Sequence, residues 1–344
     1  MELALYCPDC GYYEKEDDKI GRGGDFYTSV SVGGLFGELL AFQFSEWLEQ
    51  LPAGPLQLIE AGAHDGRLAA DVLRWIQRRR PKLLERVEYT ICESSDKRRG
   101  WQRETLKEFA DHVRWRDSDL GKEAGRIAGI VFSNELLDAM PVHRLGWSAS
   151  RREWFEWGVV LAGDSLDWSR MQESDVLSPG SPVYRRFADL PGKLLDILPD
   201  DFTTEVCPAA ENWWRNAAAA VQHGLLLTLD YGLSTEEFFA PQRSAGTLRA
   251  YHRHRLCEDL VAKPGEQDLT AHVNFSVIQK AGESAGLRTH LFTSQSDFLT
   301  GIMKRYWPEA DGRGDWSAER SREFQTLIHP EHLGRAFRVL VQAR

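Results

Sequence analysis

The sequence predicts a Rossmann-like α/β domain: a mainly parallel sheet with helices on both faces, preceded by an N-terminal helical extension and interrupted by an inserted β-hairpin and helical subdomain. Three observations predict it. A short apolar run, Leu56-Gln-Leu-Ile-Glu-Ala-Gly, ends in an acid and a glycine. After a tight turn the pattern switches to helical spacing, with Leu68, Ala69, Val72, Leu73 and Ile76 recurring on one face. The alternation then repeats, and strands alternating with helices build parallel sheets through right-handed crossovers.

Taken in order, Leu35, Leu39, Phe42 and Trp47 mark a helix between Gly33 and Leu51, stopped by Pro52, Gly54 and Pro55. The strand from Leu56 follows, then the helix that Pro81 ends near Arg80. Val87-Glu-Tyr-Thr-Ile-Cys is a second strand closed by Glu93; His112-Val-Arg-Trp-Arg-Asp and Gly129-Ile-Val-Phe-Ser-Asn-Glu continue the rhythm. From His143 to Trp168 aromatic residues alternate with polar ones around Gly163-Asp164, the pattern of a β-hairpin, and a helical, proline-punctuated segment runs to about Asp201. The sheet resumes at Gly224-Leu-Leu-Leu-Thr-Leu-Asp-Tyr-Gly. A polar stretch rich in His and Arg, Leu233 to Asn274, reads as loop, and Leu287–Phe292 with Ala336–Gln342 supply final antiparallel strands.

This gives an organisation of an extension and covering loop over 1–55, the α/β domain over 56–142 and 224–344, and an insertion over 143–223. At 344 residues the chain exceeds a single ordinary core. Its net charge of -10 disfavours an extended phosphate-binding surface, so no nucleic-acid partner is expected. No apolar run reaches 18 residues and the first eleven residues lack a basic-then-apolar leader, so membrane insertion is not expected and cytoplasmic residence is. Five cysteines without regular spacing do not make a disulfide framework, and Cys7 and Cys10 are half of a zinc knuckle without the other half, so no metal is expected.

Chemistry gathers at the strand ends. In Glu60-Ala-Gly-Ala-His-Asp-Gly-Arg-Leu a glycine turn lets a ligand approach the backbone, and the helix that follows offers free N–H groups. Gly62 and Gly66 are present, while His64 stands where a central glycine is usual. Glu93, at the next strand end, can accept ribose hydroxyls; its distance from Gly62 exceeds the roughly 20 residues of a dinucleotide fingerprint and argues against a nicotinamide-dependent oxidoreductase.

Further motifs are Gly24-Asp-Phe-Tyr-Thr-Ser with Phe36-Gly37, Ser133-Asn-Glu-Leu-Leu-Asp-Ala-Met-Pro-Val, Leu229-Asp-Tyr-Gly, Gly246-Thr-Leu-Arg-Ala-Tyr and Asp268-Leu-Thr-Ala-His-Val-Asn-Phe. Together with the glycine turn they resemble the MidA-like methyltransferases, bacterial relatives of a mitochondrial methyltransferase that assists respiratory complex I assembly. The match runs in order along most of the chain; the departures are His64 and Asp65 in the turn and Asn274 where the family has an acid. The resemblance implies a class I methyltransferase sheet and S-adenosylmethionine as cofactor, held by Gly24, Asp25, Phe26, Thr28, Glu60, Gly62, His64, Gly66 and Glu93, with Asp119 near the adenine. It places Asn134, Glu135 and Asp138 beside the departing methyl and brings in His272 as base or orienter.

Physical argument supports part of this. In-line methyl transfer needs a positioned nucleophile and excluded water more than acid–base power. An arginine acceptor is charged and is held best by carboxylates, which Glu135 and Asp138 provide; helix capping is the competing account of two acids there. The resemblance implies an arginine nitrogen of a protein as the acceptor, so the reading is a protein methyltransferase, with oligomerisation left open. The rival from another class is a noncatalytic assembly factor that keeps the fold.

Overall fold

The computed structural model describes residues 1–15, 28–117, 119–252, 255–311, 316–330 and 333–344. Along the chain the strands are β1 (Leu56–Ala61), β2 (Val87–Cys92), β3 (Val113–Arg116), β4 (Ile127–Asn134), β5 (His143–Ser148), β6 (Glu153–Ala162), β7 (Ser165–Arg170), β8 (Phe202–Val206), β9 (Val221–Leu233), β10 (Arg249–His252), β11 (Arg255–Cys257), β12 (Asp268–Thr270), β13 (Val273–Asn274), β14 (Arg288–Ser294) and β15 (Phe337–Ala343). They divide between two compact units, one of residues 17–137, 211–232 and 278–344, the other of residues 1–16, 138–210 and 233–277.

The first unit holds a sheet in the order β14-β15-β9-β4-β1-β2-β3. Pairings from β9 through β3 are parallel, and β15 runs antiparallel to both β9 and β14. This is the Rossmann-like sheet expected, with its last strands reversed. β1 and β4 are buried along nearly their whole length, as parallel strands covered on both faces must be. Helix α1 (Leu35–Glu49) buries Leu35, Phe36, Leu39, Leu40 and Phe44 in the same core, with Phe44 4.9 Å from the ring of Phe132 on β4. Helix α2 (Arg67–Arg79) buries Leu68, Val72, Leu73 and Ile76, the face its periodicity marked.

The second unit contains an antiparallel sheet in the order β7-β6-β5-β8 and a smaller one in the order β11-β10-β12. The hairpin turns at Gly163-Asp164 as expected, but the region read as loop from Leu233 carries β10 to β12. That region joins the insertion through bonds to β8: Thr203 N donates to Ser244 O at 2.8 Å, and Thr247 N donates to Glu205 Oε2 at 2.6 Å. The N-terminal residues join them, with Tyr6 Oη donating to Ala139 O at 3.0 Å. The unit is thus assembled from three stretches of chain rather than from 143–223 alone.

Candidate active site

In the first unit the register aligns the strand ends. Ala61 pairs with Cys92 on one side and Ser133 on the other, and Asn134 pairs with Leu229, so Gly62, Glu93, Asn134 and Asp230 emerge at one edge. Parallel α/β sheets bind ligands at this edge.

Gly62 has φ +78° and is exposed, and a Cβ there would lie 3.0 Å from Leu136 Cδ1. Gly66, with φ +85°, caps α2, and Asp65 Oδ1 accepts from Arg67 N at 3.1 Å. His64 lies between them at φ +45°, its backbone oxygen accepting from Gln102 Nε2 at 2.9 Å and its ring centroid 6.2 Å from that of Trp101. Gly62 itself is exposed beyond the end of β1.

Glu60 is 2% exposed and accepts from Tyr89 Oη at 2.5 Å. Burial pushes its carboxyl up to about 7, against the pull of the Tyr89 hydroxyl and with a small addition from the charge of Asp65.

Glu93 is already engaged. Arg98 forks onto both its oxygens at 2.9 Å and Ser95 N donates to Oε1 at 2.8 Å. A ribose would have to share or exchange that fork, a competition which the sequence reading did not include. Arg98 sits in the first turn of the helix Asp96–Thr105, which brings its guanidinium back over the strand end. Asp119 is exposed and caps the short turn Leu120–Glu123, accepting from Gly121 N at 2.9 Å.

Just past β4, Glu135 takes φ +51°, a conformation that costs a non-glycine residue roughly 1–3 kcal/mol and is kept only where surroundings enforce it. Those surroundings are visible. Glu135 N donates to Leu229 O at 3.0 Å, and Asp230, fully buried, accepts from Leu136 N at 3.2 Å and Leu137 N at 2.8 Å. Asp230 is a backbone clamp that holds the corner presenting the Glu135 side chain, a role its motif alone did not reveal. The aimed carboxylate accepts from Ser29 N at 3.2 Å and Asn134 Nδ2 at 3.0 Å, while Asn134 Oδ1 is buried with no hydrogen-bond partner among the described residues. Thr28 caps the helix Ser29–Val32 in a reciprocal pair with Ser31. Gly24, Asp25 and Phe26 lie outside the described residues.

The second unit holds Asp138 and His272. Asp138 is 4% exposed, and its backbone oxygen accepts from Ala271 N at 2.9 Å, next to His272. Burial, with Arg249 and Arg243 adding to it against Glu237, lowers the imidazole to about 4. His272 is therefore neutral at pH 7 and a weak base, contrary to the expectation from its ordinary value. Its backbone N–H donates to Thr247 Oγ1 at 3.2 Å, and Thr247 Oγ1 donates to Glu205 Oε2 at 2.9 Å. Glu205, nearly buried on β8, thus ties two of the sequence motifs together. A buried acid inside Phe-Thr-Thr-Glu-Val was the signal available for it.

A Rossmann-like sheet with reversed last strands, a glycine turn opening above its first strand and polar groups at the adjoining strand ends define an S-adenosylmethionine-dependent methyltransferase. The fit is local: a side chain at position 62 would fill the space beside Leu136, and Asn134 Oδ1 still has an acceptor to give. A family described as "Putative S-adenosyl-L-methionine-dependent methyltransferase" matches residues 39–293, and the chain belongs to that family.

The chain is 29% identical over 309 residues to the mitochondrial protein arginine methyltransferase NDUFAF7 homolog of Drosophila melanogaster, covering 83% of this chain and 66% of that one. It is 28% identical to the protein arginine methyltransferase NDUFAF7, mitochondrial, of Rattus norvegicus, covering 98% of this chain and 78% of that one. Among solved structures it resembles a COG1565 superfamily member from Burkholderia thailandensis, described as a "likely methyl transferase" and bound to S-adenosyl-homocysteine, at a TM-score of 0.82 and 31% identity, covering 100% of this chain and 86% of the other. These relatives overturn the expectation of cytoplasmic residence, since the curated ones are named mitochondrial. Among the described residues no helix is long and apolar enough to cross a membrane.

Proposed function

We propose that the chain methylates a guanidinium nitrogen of arginine in a protein acceptor. The observation that carries this reading is the enforced corner at Glu135, where backbone strain is spent to present a carboxylate beside an unsatisfied Asn134 Oδ1 at the edge where Gly62 opens. The names of the relatives support the choice of arginine.

S-adenosylmethionine, when bound, supplies an electrophilic methyl on a sulfonium. In our assignment Gly62, His64 and Gly66 line its approach to the backbone, with Glu60 beneath them. Glu93 takes the ribose by sharing its Arg98 fork. Thr28 and Asp119, together with Gly24, Asp25 and Phe26, complete the cofactor side. A guanidinium is cationic, and its nitrogen becomes nucleophilic when a carboxylate neutralises it and receives the proton it loses. Glu135 does this, and Asn134 holds Glu135 and the guanidinium in register. His272, lowered to about 4, is not the base.

The test uses methyl-labelled cofactor, a lysate from cells lacking the protein, and mass spectrometry of labelled peptides. Methylarginine is expected, and Glu135→Gln should lower the rate at least about a hundredfold while S-adenosyl-homocysteine still binds. Label on a lipid, a small metabolite or another residue type would end the arginine assignment. The same variant separates catalysis from the rival role in assembling a respiratory complex, since a noncatalytic factor would still complement with glutamine at position 135.

A further inference from the structure

Cys7 and Cys10, set aside above for want of further metal ligands, face each other. Cys10 Sγ donates to Cys7 Sγ at 3.2 Å, with Cys10 exposed and Cys7 half-buried at the end of the helix Glu2–Tyr6. The turn between them is preformed. Gly11 N donates to Cys7 O at 2.7 Å, and a Cβ on Gly11 would come within 2.5 Å of Cys7 N, so a side chain cannot enter the turn without opening it. It is also anchored at both ends, by Tyr6 Oη on Ala139 O and by Lys15 Nζ on Gly265 O at 2.6 Å. Joining the sulfurs at the usual bond length of about 2.05 Å needs a shift of roughly an ångström.

The two thiols are not equivalent. The S–H of Cys10 and the N–H groups of Asp9 and Cys10 favour the Cys7 thiolate, while giving that hydrogen bond raises Cys10. The remaining cysteines are differently placed. Burial pushes Cys92 up to about 12; Cys207 donates to Pro141 O at 3.3 Å and Cys257 to Arg255 O at 3.7 Å. Among the described residues no third His, Cys, Asp or Glu gathers to complete a metal site.

We propose that Cys7 and Cys10 form a dithiol–disulfide couple that exchanges with external thiol disulfides such as glutathione disulfide, Cys7 attacking and Cys10 resolving. The Cys7 thiolate attacks one sulfur of the external disulfide, forming a mixed disulfide and expelling a thiolate. Cys10 then loses its proton and attacks Cys7 Sγ, expelling the second thiolate. The chain gives up two electrons and two protons, and the external disulfide is reduced to two thiols.

The full-length protein is incubated with excess glutathione disulfide, blocked with N-ethylmaleimide and digested with trypsin, and the peptide ending at Lys15 is weighed. It should appear two hydrogens lighter and unlabelled, and revert with dithiothreitol. Cys10→Ser should trap one glutathione on Cys7. Maleimide on both Cys7 and Cys10, or a lasting glutathione adduct on Cys7 of the unaltered chain, would overturn the couple. An adduct that forms in Cys7→Ser and not in Cys10→Ser would overturn the assignment of roles.

Discussion

At Gly62 two demands meet that no side chain satisfies together. The φ of +78° costs an L-residue roughly 1–2 kcal/mol, and a Cβ 3.0 Å from Leu136 Cδ1 presses on the loop that Asp230 clamps. Gly62→Ala should therefore lower stability by about 1–2 kcal/mol and weaken S-adenosyl-homocysteine binding at least about tenfold, some 1.4 kcal/mol. Thermal melts and calorimetry of the same preparation check both. An unchanged affinity beside a lowered melting temperature would make the turn merely structural. The turn was legible as glycine after an apolar run and before a helical period, a pattern that purely structural turns of α/β proteins share. Glu93 was legible only as an acid at a strand end; its engagement by Arg98 depends on how the next helix starts, and no spacing rule carries that.

At the scale of elements, the long, strongly periodic pieces were readable and the short polar ones were not. The stretch 56–80 shows its strand and helix because burial on both faces of β1 and one face of α2 forces apolar residues into recognisable periods. β10, β11 and β12 are three or four residues each, with half-buried Arg249 and His252 and exposed Arg255 among them, and so resemble loop until their partners are known. One side chain on β8 ties them to the insertion. Glu205 Oε2 accepts from both the N–H and the hydroxyl of Thr247, and Arg144 Nε lies 3.7 Å from its other oxygen. Removing a buried acceptor strands its donors at a cost of about 1–3 kcal/mol. Glu205→Ala should thus melt earlier by that amount and raise the KM for the acceptor more than its kcat falls, with cofactor affinity within twofold because Gly62 and Glu60 belong to the other unit. Steady-state kinetics against each substrate in turn separates these effects, and equal loss of affinity for both would refute a role confined to 233–277.

For the whole molecule, the two units carry opposite responses to pH. Glu60 titrates near 7 in the folded chain against about 4.5 unfolded, so its contribution is full below pH 4.5 and is lost as pH rises through 7. His272 titrates near 4 when folded against 6.5 unfolded, so its contribution is present above pH 6.5 and is lost as pH falls toward 4. Each amounts to about 3 kcal/mol at 1.36 kcal/mol per unit, and in a single cooperative transition they would largely cancel. Cys92, buried, lies in the unit of Glu60 and Cys207, half-buried, in the unit of His272, so the protection each thiol gains on folding reports its own unit. Urea titrations read by labelling with methyl methanethiosulfonate should show the Cys92 midpoint falling between pH 5 and 7.5 while the Cys207 midpoint rises. Glu60→Gln should shrink the first response to the part carried by Asp71, which burial pushes up to about 6 in the same unit, and His272→Gln should flatten the second. Coincident midpoints at both pH values would mean that the units unfold together, and a Cys92 midpoint that rises with pH would show that Glu60 is not the buried, proton-holding acid its surroundings make it.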